Sequence, residues 1–549
     1  MSEHRLAEAT EESLFRIFTI PEQEDSTLAK IEKEVSHNLD GFLRDNIVAV
    51  EKPLSAIEKD FLDSKLPEEP QFVSNLADEL LQKLVAQSVH TSSPSFIGHM
   101  TSALPYFLLP LSKLMVGLNQ NLVKIETSKA FTPLERQVVG MMHRIAFGVT
   151  RSETENNDFY QSVMHSADAS LGAFCSGGTV ANITALWIAR NSLLKAKDGF
   201  KGVAKEGLFR AMSYYGYERL VVLVSERGHY SLGKSVDLLG IGRQDIVTIP
   251  TDENNKIRID LLQQKIKQLK AQNAGILALV GVAGTTETGN VDPLNAMADL
   301  AIKNNIHFHV DAAWGGATLL SNNQRHKLDG IERADSITID AHKQMYVPMG
   351  AGMVLFKNPH STDVIEHHAE YILRKGSKDL GSHTLEGSRP GMSMLVYACL
   401  KVMGQKGYQM LIDRSINTAN YFAELIEQSP DFELITEPEL CILTYRYVPK
   451  VVKEYMASCP DDEKQIINEL LNDLTRFIQK KQRESGKSFV SRTRLTPKAH
   501  KGQTITVFRC VLANPLTTKE ILKEILQEQK AIAKESWRSL PAILSKISN

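Results

Sequence analysis

Four short apolar runs, separated by stretches with helical spacing, constrain this chain more than any other feature. They are Leu220-Val221-Val222-Leu223-Val224, Ile276-Leu277-Ala278-Leu279-Val280, Ile306-His307-Phe308-His309-Val310 and Ser336-Ile337-Thr338-Ile339. A strand with one face in water alternates apolar and polar residues, whereas nearly continuous runs must be covered on both faces. Such strands alternating with helices give βαβ units, and so an α/β fold with a large, mainly parallel sheet. Ligands of such sheets bind beyond the carboxyl ends of the strands, which singles out the residues just after each run.

Three segments are expected. Residues 1–90 read as an amphipathic helical arm or cap, with Leu28, Ile31 and Val35 at apolar positions. Residues 91–400 hold the large α/β domain, in which Thr132-Pro133-Leu134-Glu135 reads as a capping box that starts a helix. Residues 401–549 read as a small α+β domain with strands at Phe432-Glu433-Leu434-Ile435 and Thr504-Ile505-Thr506-Val507-Phe508. The 63 basic and 65 acidic residues nearly cancel, which disfavours a nucleic-acid partner. Five scattered cysteines, none spaced as CxxC, fit neither a disulfide framework nor a zinc cluster and point to a reducing cytoplasm. No apolar stretch approaches the roughly 20 residues of a membrane span, and no signal-like apolar region follows Met1-Ser2-Glu3-His4-Arg5.

Four strand ends carry groups with chemical potential. Cys175-Ser176-Gly177-Gly178-Thr179 opens a helical pattern, and a glycine turn at a helix start suits a phosphate, although a structural turn would look the same. Asp311 ends a buried run and needs a partner there, which a salt bridge or helix cap would also provide. Lys343, in Asp340-Ala341-His342-Lys343, lies just beyond the next run, where a desolvated lysine can attack a carbonyl to form a Schiff base. His229 falls on the same edge in Glu226-Arg227-Gly228-His229-Tyr230-Ser231. Pyridoxal phosphate needs all four: an amine, an acid at its ring nitrogen, a phosphate cradle and a flat partner.

The order of these segments, together with Gly284-Thr285-Thr286 and His309-Val310-Asp311-Ala312-Ala313, resembles the group II pyridoxal-phosphate-dependent amino-acid decarboxylases of the aspartate aminotransferase fold (fold type I). The likeness covers roughly residues 90–520. It implies that Lys343 carries the cofactor, Asp311 meets the pyridine nitrogen and His229 stacks on the ring. Ser176, Gly178, Thr179 and His342 match phosphate positions, and Thr285 or Thr286 lies by the phenolic oxygen. Tyr371 resembles a mobile-loop proton donor, and the polar stretch from Lys375 to His383 suits a lid. Asp340 departs from the Asn of many relatives. Arg389, in Gly387-Ser388-Arg389-Pro390-Gly391, resembles the carboxylate-binding arginine of bacterial glutamate decarboxylases. His99, Thr101, Asn119 and Asn121 are further substrate-side candidates.

The implied activity is α-decarboxylation of an acidic amino acid, L-aspartate before L-glutamate, by a homodimer. The whole-chain likeness is greatest to bacterial members that supply β-alanine. Another reaction on the same scaffold, or a non-catalytic relative, are the competing readings.

Overall fold

The computed structural model describes residues 27–44, 48–49, 52–368, 376–536 and 539–548. The chain forms two compact units, one of Met100–Lys450 with Thr493–Pro515, the other of Met1–His99 with Val451–Arg492 and Leu516–Asn549. This division is discontinuous in sequence, unlike the three successive segments expected. The reason is that Thr493–Pro515 carries strand residues of the larger unit between two helical parts of the smaller one.

The larger unit is built on a seven-stranded sheet. Its strands are β1 (Gly172–Cys175), β2 (Arg219–Ser225), β3 (Ile246–Ile249), β4 (Ala274–Val282), β5 (His307–Asp311), β6 (Ser336–Asp340) and β7 (Gly352–Phe356), in the order β1-β7-β6-β5-β4-β2-β3. The pairs β2–β3, β2–β4, β4–β5 and β5–β6 are parallel, and β7 runs antiparallel to both β6 and β1. Two reversals return β1 to the common direction, so six strands end on one edge. All nine residues of β4 are buried, as a strand covered on both faces requires.

Helix α1 spans Leu108–Leu118, α2 Phe131–Phe147 and α3 Gly178–Leu193. α3 is apolar nearly all round because it lies deep against the sheet. Leu186 and Ala189 pack on Val222, Val224, Val280 and Val282, while Ala181, Ala185 and Ile188 pack on Ala173, Val354 and Phe356. α2 starts where the sequence places a helix, but not through the expected cap. Thr132 lies inside its first turn with its hydroxyl 2.6 Å from that of Ser128, and Glu135 reaches Arg389 rather than a backbone N–H. A buried ion pair has claimed the glutamate that the sequence pattern assigns to capping. A second sheet, in the order β10-β11-β9-β8, comprises β8 (Phe432–Thr436), β9 (Ile442–Tyr447), β10 (Ser491–Leu495) and β11 (Ile505–Val511), with β8–β9 and β9–β11 antiparallel.

The smaller unit is helical. Its helix Asp461–Ser485 has three acidic residues in the first turn and ends at Gly486, whose φ of +68° closes the helix. Ile467, Leu471, Leu474 and Ile478 give it one buried stripe, and it packs on Lys519–Lys534 and Ser539–Ser548. No helix among the described residues is long and apolar enough to cross a membrane.

One buried histidine ties α2 to the sheet. His143 Nε2 lies 3.0 Å from the Phe356 carbonyl and Nδ1 2.7 Å from the Tyr160 hydroxyl, so the neutral ring can donate to the first and accept from the second. Burial pulls its pKa down to about 4 from 6.5, partly offset by the Phe356 bond. A folded-state pKa below the unfolded one means that the unfolded chain binds the proton more tightly, so stability falls as pH drops from about 6.5 to 4. The expected loss over that window is about 3 kcal/mol. Denaturant titrations at several pH values should show this slope in the wild type and a shallower one in His143→Gln.

Candidate active site

The common edge of the parallel strands brings the expected groups together. β5 delivers Asp311, which is 6% exposed. One carboxylate oxygen accepts from Asn182 Nδ2 at 2.9 Å and the other from the Ala313 N–H at 3.2 Å. Asn182, one turn into α3, is a hub. Its Oδ1 accepts from Thr338 Oγ1 at 2.7 Å and lies 3.0 Å from His309 Nε2, while its Nδ2 also reaches Ser231 Oγ at 3.3 Å. Ser231 Oγ in turn lies 2.8 Å from His229 Nδ1. Burial lowers the His229 pKa; the Asp311 carboxylate opposes that shift and Lys343 reinforces it. The Asn182 amide and the Ser231 hydroxyl therefore link the Asp311 carboxylate to the imidazole.

β6 delivers Asp340 and the segment that follows it. Lys343 Nζ sits 3.0 Å from Asp340 Oδ2, and His342 Nε2 3.6 Å from the same oxygen. His342 Nδ1 is held 3.0 Å from the Ala351 carbonyl. The connection from β6 to β7 is closed upon itself by bonds from the His342 N–H to Ala351 O and from the Val347 N–H to Ala341 O. It also contains Tyr346 at a φ of +58°, an uncommon backbone for a bulky residue, held by a 2.9 Å bond from its hydroxyl to Ala513 O.

β1 delivers the glycine turn. A Cβ on Gly178 would lie 2.9 Å from Asp340 Oδ2, and one on Gly352 would lie 2.8 Å from Asp340 Oδ1, so side chains there would fill the cradle. The Ser176 N–H donates to the Glu386 carboxylate at 3.0 Å. After β4, Thr285 Oγ1 pairs with Thr288 Oγ1 at 2.8 Å and accepts from the Asn290 N–H, which makes it the tie of its own loop. The Thr286 carbonyl accepts from Arg509 Nε at 2.6 Å.

The turn, the carboxylate, the amine and the imidazole together suit a flat, phosphorylated, carbonyl-bearing group. A model of the pyridoxal-dependent decarboxylase conserved domain matches residues 55–448. The chain belongs to the pyridoxal-dependent decarboxylase family. Its cofactor is pyridoxal 5'-phosphate and its chemistry that of an amino-acid carboxy-lyase. Among relatives, an aspartate 1-decarboxylase of Aliivibrio fischeri is 63% identical over 549 residues, covering 100% of this chain and 99% of that one. An aromatic-L-amino-acid decarboxylase of Bacillus atrophaeus is 27% identical over 503 residues, 90% of this chain and 93% of that one. In the fold, apo mouse CSAD superimposes with a TM-score of 0.78 at 22% identity, covering 92% of this chain and 99% of that one.

Within this family member the substrate-side candidates fare differently from the cofactor-side ones. Arg389 does not present its guanidinium fork. Nη1 donates to Glu135 Oε2 at 2.5 Å and Nη2 donates to Oε1, with both side chains buried. Burial alone would lower the Arg389 pKa, but Glu135 outweighs it and raises the net value. Asn119 is exposed and occupies the left-handed region at φ +43°, closing α1 through its N–H to Met115 O; that backbone need explains an asparagine there. Asn121 ties its own turn to a distant segment, donating to Ser388 Oγ at 2.9 Å and accepting from the Val123 N–H. His99 is exposed in the smaller unit, and Thr101 is half-buried in the larger. Tyr371 lies outside the described residues. Of the expected lid, Asp379 to His383 is anchored instead: Asp379 accepts from the Ile125 N–H at 2.8 Å, and Ser382 and His383 are buried.

Asn182 and Arg509 escaped notice in the sequence. Each carried a signal: an amide within the otherwise small and apolar stretch Val180-Ala181-Asn182-Ile183, and a lone cation inside the run Val507-Phe508-Arg509-Cys510-Val511.

The buried Arg389–Glu135 pair makes a stability prediction. Arg389→Met strands a buried carboxylate and should cost about 3–5 kcal/mol in denaturant unfolding, most of it recovered in Arg389→Met/Glu135→Gln. A variant of unchanged stability with a raised KM would instead return Arg389 to the substrate.

Proposed function

We propose that the enzyme removes the C1 carboxylate of L-aspartate, giving β-alanine and carbon dioxide, with L-glutamate the second-best substrate. The observation that carries this reading is the 63% identity, across the whole chain, to the Aliivibrio fischeri aspartate 1-decarboxylase. The same reading makes it a cytoplasmic homodimer that feeds coenzyme A precursor supply. The free state of all five cysteines fits a reducing compartment, and Leu114, Val116 and Leu118 leave apolar surface exposed on α1 for a second copy.

When bound, pyridoxal phosphate supplies the electron sink for the breaking carbon–carbon bond. Lys343 holds it through Nζ. Asp311 holds a proton at the ring nitrogen, since a carboxylate beside that nitrogen raises its pKa, and Asn182 fixes the aim of the carboxylate. His229 covers one ring face. Gly178, Thr179 and His342 meet the phosphate, with Ser176 at the edge of the turn. Tyr371 returns a proton to the substrate carbon, on the strength of its resemblance alone.

Because Glu135 already occupies Arg389, we assign the substrate-carboxylate role to Arg509. It is buried and bonded to the loop after β4, and burial lowers its pKa while Glu287 opposes that shift. Glu287 opposes the lowering of the His229 pKa as well, so the same carboxylate acts electrostatically on both groups. A buried guanidinium holds a carboxylate in a fixed plane. Arg509→Lys should raise KM for aspartate about tenfold or more while Lys343 still carries the cofactor; an unchanged KM would remove it from the site.

Two measurements test the whole. Borohydride reduction followed by peptide mapping should place the pyridoxyl group on Lys343. A comparison of kcat/KM for aspartate, glutamate, 2,4-diaminobutyrate and tyrosine should rank aspartate first, and a preference for either of the last two would overturn the acidic reading.

A further inference from the structure

Asp340 places a carboxylate in the cofactor cradle that the catalytic scheme does not use. It is 3% exposed. Oδ2 is shared by Lys343 and His342, while Oδ1 is buried with no hydrogen-bond partner and faces Gly352 and Gly178. The glycines are what leave room for it: a methyl group at either position would press within 3 Å of its oxygens. A second carboxylate, Glu386, already accepts the Ser176 N–H of the same turn. The Ser176 amide and the Lys343 ammonium thus each serve an internal acid.

Loading the cofactor worsens Asp340's position. Lys343 as an ammonium has three hydrogens to donate. When its Nζ forms a double bond to the cofactor's carbonyl carbon, the carbonyl oxygen leaves as water with two of those hydrogens and one remains on nitrogen. A phosphate settling on the turn then adds negative charge beside a buried carboxylate that has lost donors, and like charges repel more strongly when one of them is out of water.

We propose that Asp340 is a positioning residue that favours the empty site, setting how readily the enzyme takes up and releases pyridoxal phosphate. The proposal rests on the assignment of the phosphate to the Ser176–Thr179 turn and of the cofactor to Lys343. It gives the departure from asparagine at this position a physical purpose: a decarboxylase that holds its cofactor reversibly.

The test is an absorbance titration of full-length apoenzyme with pyridoxal phosphate and, separately, with pyridoxal, which lacks the phosphate. Asp340→Asn keeps the shape and removes the charge. It should bind pyridoxal phosphate about tenfold more tightly, with slower release, and gain clearly less for pyridoxal. Asp340→Ser serves as a second uncharged variant should the amide fail to fold, and the same direction is expected. Unchanged or weaker binding of pyridoxal phosphate overturns the proposal, as does an equal gain for both compounds, which would mean that Asp340 does not face the phosphate. Borohydride labelling of the wild type separates the two failures. A label on Lys343 with no change in affinity rejects the role of Asp340 alone, whereas a label elsewhere rejects the site assignment itself.

Discussion

A carboxylate buried at the end of a parallel strand is the constraint on which this site turns. Asp311 cannot sit there unless both its oxygens are bonded, and the sheet alone provides only the Ala313 N–H. The other bond comes from Asn182, which obliges α3 to cross the sheet at one height and rotation. That crossing puts the glycine turn, at the start of the same helix, beside the end of β6. The apolar packing of α3 on both flanks holds the arrangement rigid. The amide also engages Thr338 and lies beside His309 and Ser231, so its loss would disturb acid, imidazole and sheet together. The low pKa of buried His309, brought down mainly by desolvation, keeps that ring neutral and so compatible with the network.

The sheet was legible because its strands are buried on both faces, and continuous apolar runs have few other uses. All four runs named from the sequence fall within β2, β4, β5 and β6, apart from Ile306 at the margin of β5. The candidate residues at the strand ends come together for a related reason: the sheet fixes strand ends, so Asp311 and Lys343 inherit their positions from backbone hydrogen bonding. Substrate-side residues come from loops and helix ends, where pairing depends on contacts between residues far apart in sequence. Nothing in Thr132-Pro133-Leu134-Glu135 announces an arginine more than 250 positions later. The capping pattern and the ion pair use the same glutamate, and burial decided between them. At Asn119 the left-handed backbone that closes α1 accounts for an asparagine by itself.

Arg389 and Arg509 show that two buried arginines can sit in different electrostatic surroundings. Both are largely buried, but Glu135 raises the pKa of one while desolvation lowers that of the other. A guanidinium whose charge is answered by a buried carboxylate, as Glu135 answers Arg389, is held to the fold.

The closed connection between β6 and β7 decides what holds the lysine segment in shape. Lys343 sits in a segment whose two ends are bonded to each other and whose left-handed Tyr346 is anchored to Ala513. The unfavourable backbone there is compensated by bonds internal to the chain. A substitution that removed the Tyr346 hydroxyl would therefore loosen the segment that carries Lys343 without touching any group on the site's edge.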